Sequence, residues 1–175
     1  MMNVNGKPSL KLNIVNADLL NPVHGEAIVS LLNEYALDDM GGKCELSAFT
    51  KQNLVSELRK RQGVHVILAF EGDAAAGLSI CFEGFSTFAC KPLLNIHDLV
   101  VAKRFRGLGI SKRLLARAEE IARSLGCCKL TLEVLEGNHI AQTVYKSSGF
   151  DHYQLDPSVG RALFWQKFLE KLPTC

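Results

Sequence analysis

The chain has 175 residues, 47% hydrophobic and 22% charged, a size and balance that suit one soluble globular domain over 1–175. A formal net charge of +2 argues against a nucleic-acid partner, and no apolar run reaches the roughly 18 residues of a membrane helix. Six cysteines without a C-x-x-C pair are read as reduced, mostly buried thiols, and five scattered histidines suggest no metal site.

Residues 1–9 read as a loose lead-in without the apolar core of a signal peptide, so a cytoplasmic location is expected. Leu10 to Val15 alternates as a short strand. Asn21-Pro22 starts a helix whose apolar face is Ala27, Ile28, Leu31, Leu32 and Tyr35. Asp38-Asp39-Met40-Gly41-Gly42 ends it, either as a solvated turn or as an acidic lip over a substrate amine. Ser47 can cap a second helix running to about Arg61, stopped by Gln62-Gly63. Val64 to Phe70 and Ala76 to Phe82 form a hairpin around Glu71-Gly72-Asp73, with His65 a core or edge residue. Glu83 to Pro92 is too long for a tight hairpin; its Phe85 and Phe88 make either a packed aromatic loop or a substrate wall.

Everything else is arranged around Leu93 to Ser111. An apolar strand (Leu94, Ile96, Leu99, Val100, Val101) runs into Arg104-Phe105-Arg106-Gly107-Leu108-Gly109, and an amphipathic helix follows, its inner face Leu114, Leu115, Ala118, Ile121, Ala122 and Leu125. A strand, a glycine turn and a helix N-terminus make an anion site, with free amides and a favourable dipole, and the default ligand is a phosphate or pyrophosphate. No Gly-Lys-Ser/Thr follows, so it is not a P-loop. Lys112 stands where a dinucleotide fingerprint needs its third glycine. Simple alternation puts His97, Leu99 and Val101 on one face and turns Asp98 to the other, as a structural residue. Further on, Leu130 to Val134 reads as a strand, Asn138 opens a helix containing Tyr145, and Gly149-Phe150 ends it. The tail from Gly160 to Leu172, with the run Ala162-Leu163-Phe164-Trp165, reads as a final strand.

The order Arg-x-x-Gly-x-Gly at 104–109 resembles the acetyl-coenzyme A loop of the GCN5-related N-acetyltransferases (GNAT). The string N-x-x-A-x-x-x-Y-x-x-x-G-F from Asn138 to Phe150 resembles that family's second signature. Together they cover roughly Leu93 to Phe150. The resemblance implies an α/β fold, a mixed central sheet flanked by helices in the order β-α-α-β-β-β-α-β-α-β, with acetyl-CoA as cosubstrate and no metal. It implies that the backbone of Leu99, Val100 and Val101 pairs with the pantetheine arm as an added strand would. Arg104, Arg106 and the amides of Gly107, Leu108, Gly109, Ile110, Ser111 and Lys112 would then hold the pyrophosphate. Asn138 would bond the pantetheine, and Tyr145 would pack on the cofactor and protonate the departing thiolate. His97 occupies a position where the family often has a glutamate, and an imidazole is suited to act as the base.

Ile96-His97-Asp98-Leu99-Val100-Val101 and a Gly-Arg-x-Leu-Phe tail look most like the diamine (spermidine/spermine) and thialysine N-acetyltransferase branch. The expected reaction is therefore transfer of acetyl to a primary amine of a small molecule by a homodimer. Asp38, Asp39, Phe85 and Phe88 would stand on the acceptor side, although Lys91 is the wrong sign for a polyamine loop. The alternatives are acetylation of a protein or peptide amine, and a non-catalytic coenzyme A sensor.

Overall fold

The computed structural model describes residues 11–154 and 156–169. Its strands are β1 (Leu12–Asn16), β2 (Val64–Glu71), β3 (Ala74–Ser86), β4 (Lys91–Val101) and β5 (Leu130–Leu132). Its α-helices are α1 (Pro22–Ala36), α2 (Ala48–Arg59), α3 (Ile110–Ser124) and α4 (His139–Ser147). Single 3-10 turns lie at Lys103–Phe105 and Pro157–Val159. The sheet order is β1-β2-β3-β4-β5, antiparallel until the last pair, where β5 runs parallel to β4. The mixed sheet and its flanking helices agree with the expected architecture.

Two apolar layers sandwich the sheet. On one face Ile28 and Leu31 of α1 and Leu58 of α2 bury against Val66, Leu68, Leu78, Ile80 and Val100. On the other, Ile110, Leu114, Leu115, Ala118 and Ile121 of α3 pack on Ile67, Ala69, Ala76, Leu94 and Ile96. Each fully buried aliphatic side chain contributes about 1.5–3 kcal/mol, so the α3 stripe is the principal clamp on the sheet centre. Helix starts follow local chemistry: the side chains of Asn21 and Ser47 accept from Val23 N–H and Thr50 N–H, at 2.9 and 3.0 Å. Gly77 lets α3 come close, because a Cβ there would sit 3.0 Å from Ile110, Leu114 and the Val100 carbonyl.

Four expectations need correction. β3 continues to Ser86 and β4 starts at Lys91, so Glu83 to Pro92 is mostly paired strand closed by the turn 87–90. The polar and aromatic mixture hid a regular ladder (Phe85 opposite Pro92, Ser86 opposite Lys91). Second, the described part of the tail, 160–169, forms no strand; Trp165 is 84% exposed, and the Ala162 N–H donates to the Tyr153 carbonyl (3.2 Å). β5, with 3 residues, offers it little edge to pair with, and residues 170–172 of that call lie outside the described residues. Third, the start of the first strand moves: β1 begins at Leu12, and Leu10 also lies outside the described residues. Fourth, Cys44 is disulfide-bonded, and of the free cysteines Cys90 and Cys128 are exposed. Both lie outside the helices and strands. Cys81 is buried, and burial pushes its thiol up to about 11.

No helix among the described residues is long and apolar enough to cross a membrane, and no group of three or more His, Cys, Asp or Glu side chains is placed to hold a metal.

Candidate functional site

The central feature is a fork between β4 and β5. Their pairing comprises Leu94 with Leu130, Asn95 with Thr131 and Ile96 with Leu132, and then β5 ends while β4 continues for five residues, 97–101. The Ala102 N–H points to the Ala76 carbonyl of β3 (3.1 Å). Backbone groups alternate sides along a strand, so those of Leu99 and Val101 point the other way, into the fork. Apart from the Val101 carbonyl, this is the free edge that an extended amide-bearing ligand needs. Arg106 reaches back across the mouth, its Nε donating to the Val101 carbonyl at 3.2 Å.

At the end of β4 the chain makes the 3-10 turn, passes Gly107 (φ 76°) and Gly109 (φ 78°), and enters α3. Only glycine adopts this left-handed conformation without strain. A Cβ at either glycine would meet nothing within 4 Å, so the loop is open outward rather than packed against the protein. The first-turn amides of α3 have no partner inside the helix, and its first turn carries no acidic residue. Lys112, Arg113, Arg104 and Lys103 surround the turn, with the Arg104 guanidinium 4.6 Å above the Phe105 ring. Glycines open outward, free amides and the positive charge of Lys112 and Arg104 fit a pyrophosphate, Lys103 being shared with Asp38 and Arg113 donating to the Leu12 carbonyl.

β4 itself is irregular in a way that alternation alone does not reveal. Its register with β3 slips between Ile80 and Cys81: Cys81 faces Ile96, Ile80 faces Asp98, and His97 is the extra residue of a β-bulge. Before the bulge Leu94 and Ile96 face α3; after it Leu99 and Val101 do. His97 and Asp98 therefore both turn toward the α1 and α2 face. The His97 ring meets Phe82 edge-on at 5.5 Å, and Phe82 packs with the α1 and α2 layer. The expected shared face of His97, Leu99 and Val101 is thus replaced by a shared face of His97 and Asp98. The signal was present in the sequence: Leu94 and Ile96 fall on even numbers, Leu99 and Val101 on odd ones.

Asp98 and Tyr35 of α1 were not expected at the site. Burial pushes the Asp98 carboxyl above its ordinary range, with the neighbouring His97 pulling it partly back. The Tyr35 hydroxyl donates to the Met40 carbonyl (3.2 Å), and its phenol is raised by burial and then by the charges of Asp98 and Asp38. Tyr145 is half-buried on α4, its ring 6.0 Å from Phe150; burial and then Tyr35 raise its phenol. Asn138 caps α4, its side chain accepting from Ala141 N–H at 3.1 Å.

The acidic loop is engaged by the protein itself. Asp38 Oδ2 lies 3.1 Å from Arg106 Nη2 and 3.9 Å from Lys103 Nζ, and Oδ1 accepts from Met40 N–H. That backbone bond, followed by Arg106, holds the Asp38 carboxyl below the usual range. Asp39 is exposed and paired with Lys43 at 3.1 Å. Phe88 stands at the tip of the β3–β4 turn, 98% exposed, and Phe85 shares the face of Leu94, so neither is brought together with His97. His65 Nε2 is 2.7 Å from Glu83 Oε1, a satisfied edge residue.

Comparison with known proteins agrees with this geometry. Residues 27–150 match the Acetyltransferase (GNAT) family. A thialysine N-epsilon-acetyltransferase of Caenorhabditis elegans is 28% identical over 144 residues, 81% of this chain and 84% of that protein. A crystal structure of a probable acetyltransferase superposes with a TM-score of 0.75 at 23% identity, covering 91% of this chain and 99% of the other. An aminoglycoside N-acetyltransferase in complex with CoA gives 0.69 at 18% identity, covering 91% and 97%. The match spans both the glycine turn and the helix of Tyr145, and the chain belongs to the GNAT family of acetyltransferases.

Proposed function

We propose that the protein transfers the acetyl group of acetyl-CoA to a primary amine of a small molecule. The observation that carries this reading is the convergence of three parts: a strand fork with free backbone edges, an outward-facing glycine turn at a helix N-terminus, and Tyr145 on the next helix. The name of the nematode relative supports an amine of lysine-like size. Leu99 and Val101 would pair with the pantetheine arm, the amides from Gly107 to Lys112 would hold the pyrophosphate, and Asn138 would steady the arm near the thioester.

Acetyl-CoA supplies an activated acyl thioester; the chain's own residues manage protons. An alkylammonium with a pKa of about 10.4 costs about 4.6 kcal/mol to deprotonate at pH 7. His97 is proposed as the base that takes this proton, directly or through water, with Asp98 beside it on the same face. Tyr145 is proposed as the donor to the leaving sulfur. A raised phenol stays protonated throughout the physiological range, the state that a donor requires. We also infer a homodimer, supported by the exposed apolar run Leu163, Phe164 and Trp165; sedimentation should give twice the 19.2 kDa chain mass.

The test of the reaction is an acceptor screen with acetyl-CoA, read by mass spectrometry of products, with diamines, lysine analogues, amino acids and peptides in separate wells. Acetylation of a small amine is expected. Product on peptides alone would replace this reading with a protein-acetylating one, and cofactor binding without any product would favour a sensor.

A further inference from the structure

The end of α1 carries an acid where a helix favours a base. Asp38 follows the last turn of α1, which holds no basic residue, so its carboxylate meets the negative end of the helix dipole. It is nevertheless held firmly: Oδ1 accepts from Met40 N–H at 3.2 Å, and its carbonyl accepts from Gly41 N–H at 2.9 Å. Gly41 lies flat against the helix end, where a Cβ would collide with the Tyr35 carbonyl. One helical turn earlier, Glu34 accepts from the Lys103 backbone N–H, so the end of α1 grips the turn after β4 from the same face.

The cation that answers Asp38 comes from the cofactor turn. Arg106 Nη2 donates to Asp38 Oδ2 at 3.1 Å, while Nε donates to the Val101 carbonyl at 3.2 Å. Both bonds leave one rigid planar fork, so the two acceptors together fix the guanidinium. Its Nε stands close to where the amide of a neighbouring strand would stand, about 2.9 Å from the carbonyl. That is the lane proposed above for the pantetheine arm, and the protein's own side chain fills one of its rungs. Arg106 can leave without stranding the acid, because Lys103 Nζ, 3.9 Å from Oδ2, stays with Asp38. The Arg106 side chain is itself 47% exposed, so water can take over its donors as it moves.

We propose that Asp38 is a positioning residue that holds Arg106 as a latch in the pantetheine lane of the free protein. Acetyl-CoA enters by taking Arg106 away from Asp38 and Val101 and over to its pyrophosphate. The latch lowers the affinity for the cofactor, and it links the end of α1 to whether the cleft is filled. The proposal rests on the acetyltransferase reading above; it concerns admission of the cofactor and involves neither the acceptor nor a proton transfer.

The deciding substitution is Asp38→Asn, which can still accept from Met40 N–H but loosens Arg106. Acetyl-CoA should bind it about threefold more tightly in calorimetry. Pantetheine, measured by displacement of acetyl-CoA, should gain by the same factor. Pantetheine carries no phosphate, so its gain cannot come from removing a negative charge near the pyrophosphate. Adding Asp38→Asn to Arg106→Gln should give neither ligand any gain. A second readout needs no variant: the Arg106 Nε–H, followed by NMR, should exchange slowly in the free protein and faster once pantetheine is bound. Unchanged or weaker binding of acetyl-CoA by Asp38→Asn would overturn the latch. So would an equal gain in the Arg106→Gln background, or a gain for acetyl-CoA without one for pantetheine. If Asp38→Asn does not fold, the Nε–H exchange decides alone. Ligand binding that leaves that exchange unchanged sinks the latch and spares the acetyltransferase reading, whereas a wild-type protein that binds no acetyl-CoA removes both.

Discussion

The duties proposed for Tyr145 and His97 are distinct, and kinetics can separate them. Tyr145→Phe keeps the ring and its packing on Phe150 but removes the proposed proton donor. Turnover should fall about 10²-fold, with acetyl-CoA affinity changed less than threefold in calorimetry. His97→Gln should lower kcat/KM by a similar factor of about 10² while leaving the CoA complex intact, because its ring lies on the face away from α3. Asp98 offers a test of a different kind. Its carboxyl is raised by burial, so its contribution to folding is fully present below the ordinary Asp value of about 3.9 and is lost as pH rises through the raised native value. At pH 7, above the ordinary Asp value, burying this carboxyl works against the fold. Asp98→Asn should accordingly raise Tm at pH 7 relative to wild type and leave it nearly unchanged at pH 3, which a pair of thermal melts would establish.

At the scale of elements, the glycine turn and α3 act as one unit. Gly109→Asp combines left-handed backbone strain, about 1 kcal/mol, with a carboxylate set against the incoming phosphates. Binding of acetyl-CoA should weaken at least 100-fold by calorimetry, with the fold retained, because a side chain there meets no protein atom within 4 Å. The helices were legible in the sequence because their signals are local: Asn21-Pro22, Ser47 and Asn138 cap where expected, and the α3 stripe at three-to-four spacing becomes its buried face. The turn 104–109 was legible for the same reason. The β4 bulge was misread because a strict period of two was assumed through a strand that breaks it, which put His97 with Leu99 and Val101 instead of with Asp98. Tyr35 was seen only as core, since the sequence does not say which side chains meet across α1 and β4. The tail's apolar letters suggested a strand, but a strand also requires an edge, and that is a property of the whole sheet.

Taken whole, the molecule divides its labour between the two faces of one sheet. The α3 face holds the bulk of the packing and the glycine turn; the α1 face holds His97, Asp98 and Tyr35. Asp38, at the end of α1, and Lys103 and Arg106, just beyond β4, tie the two sides together, and the Lys103 N–H also donates to Glu34 of α1. The fork has a consequence for hydrogen exchange. β4 is an interior strand of the sheet and ought to exchange slowly, yet its amides should fall into two interleaved classes. Val100 and Ala102 N–H groups point to β3 and should be protected. Those of Leu99 and Val101 open into the fork and should exchange orders of magnitude faster in the free protein. Adding acetyl-CoA should slow them selectively, so that a ligand completes a ladder that the polypeptide leaves unfinished.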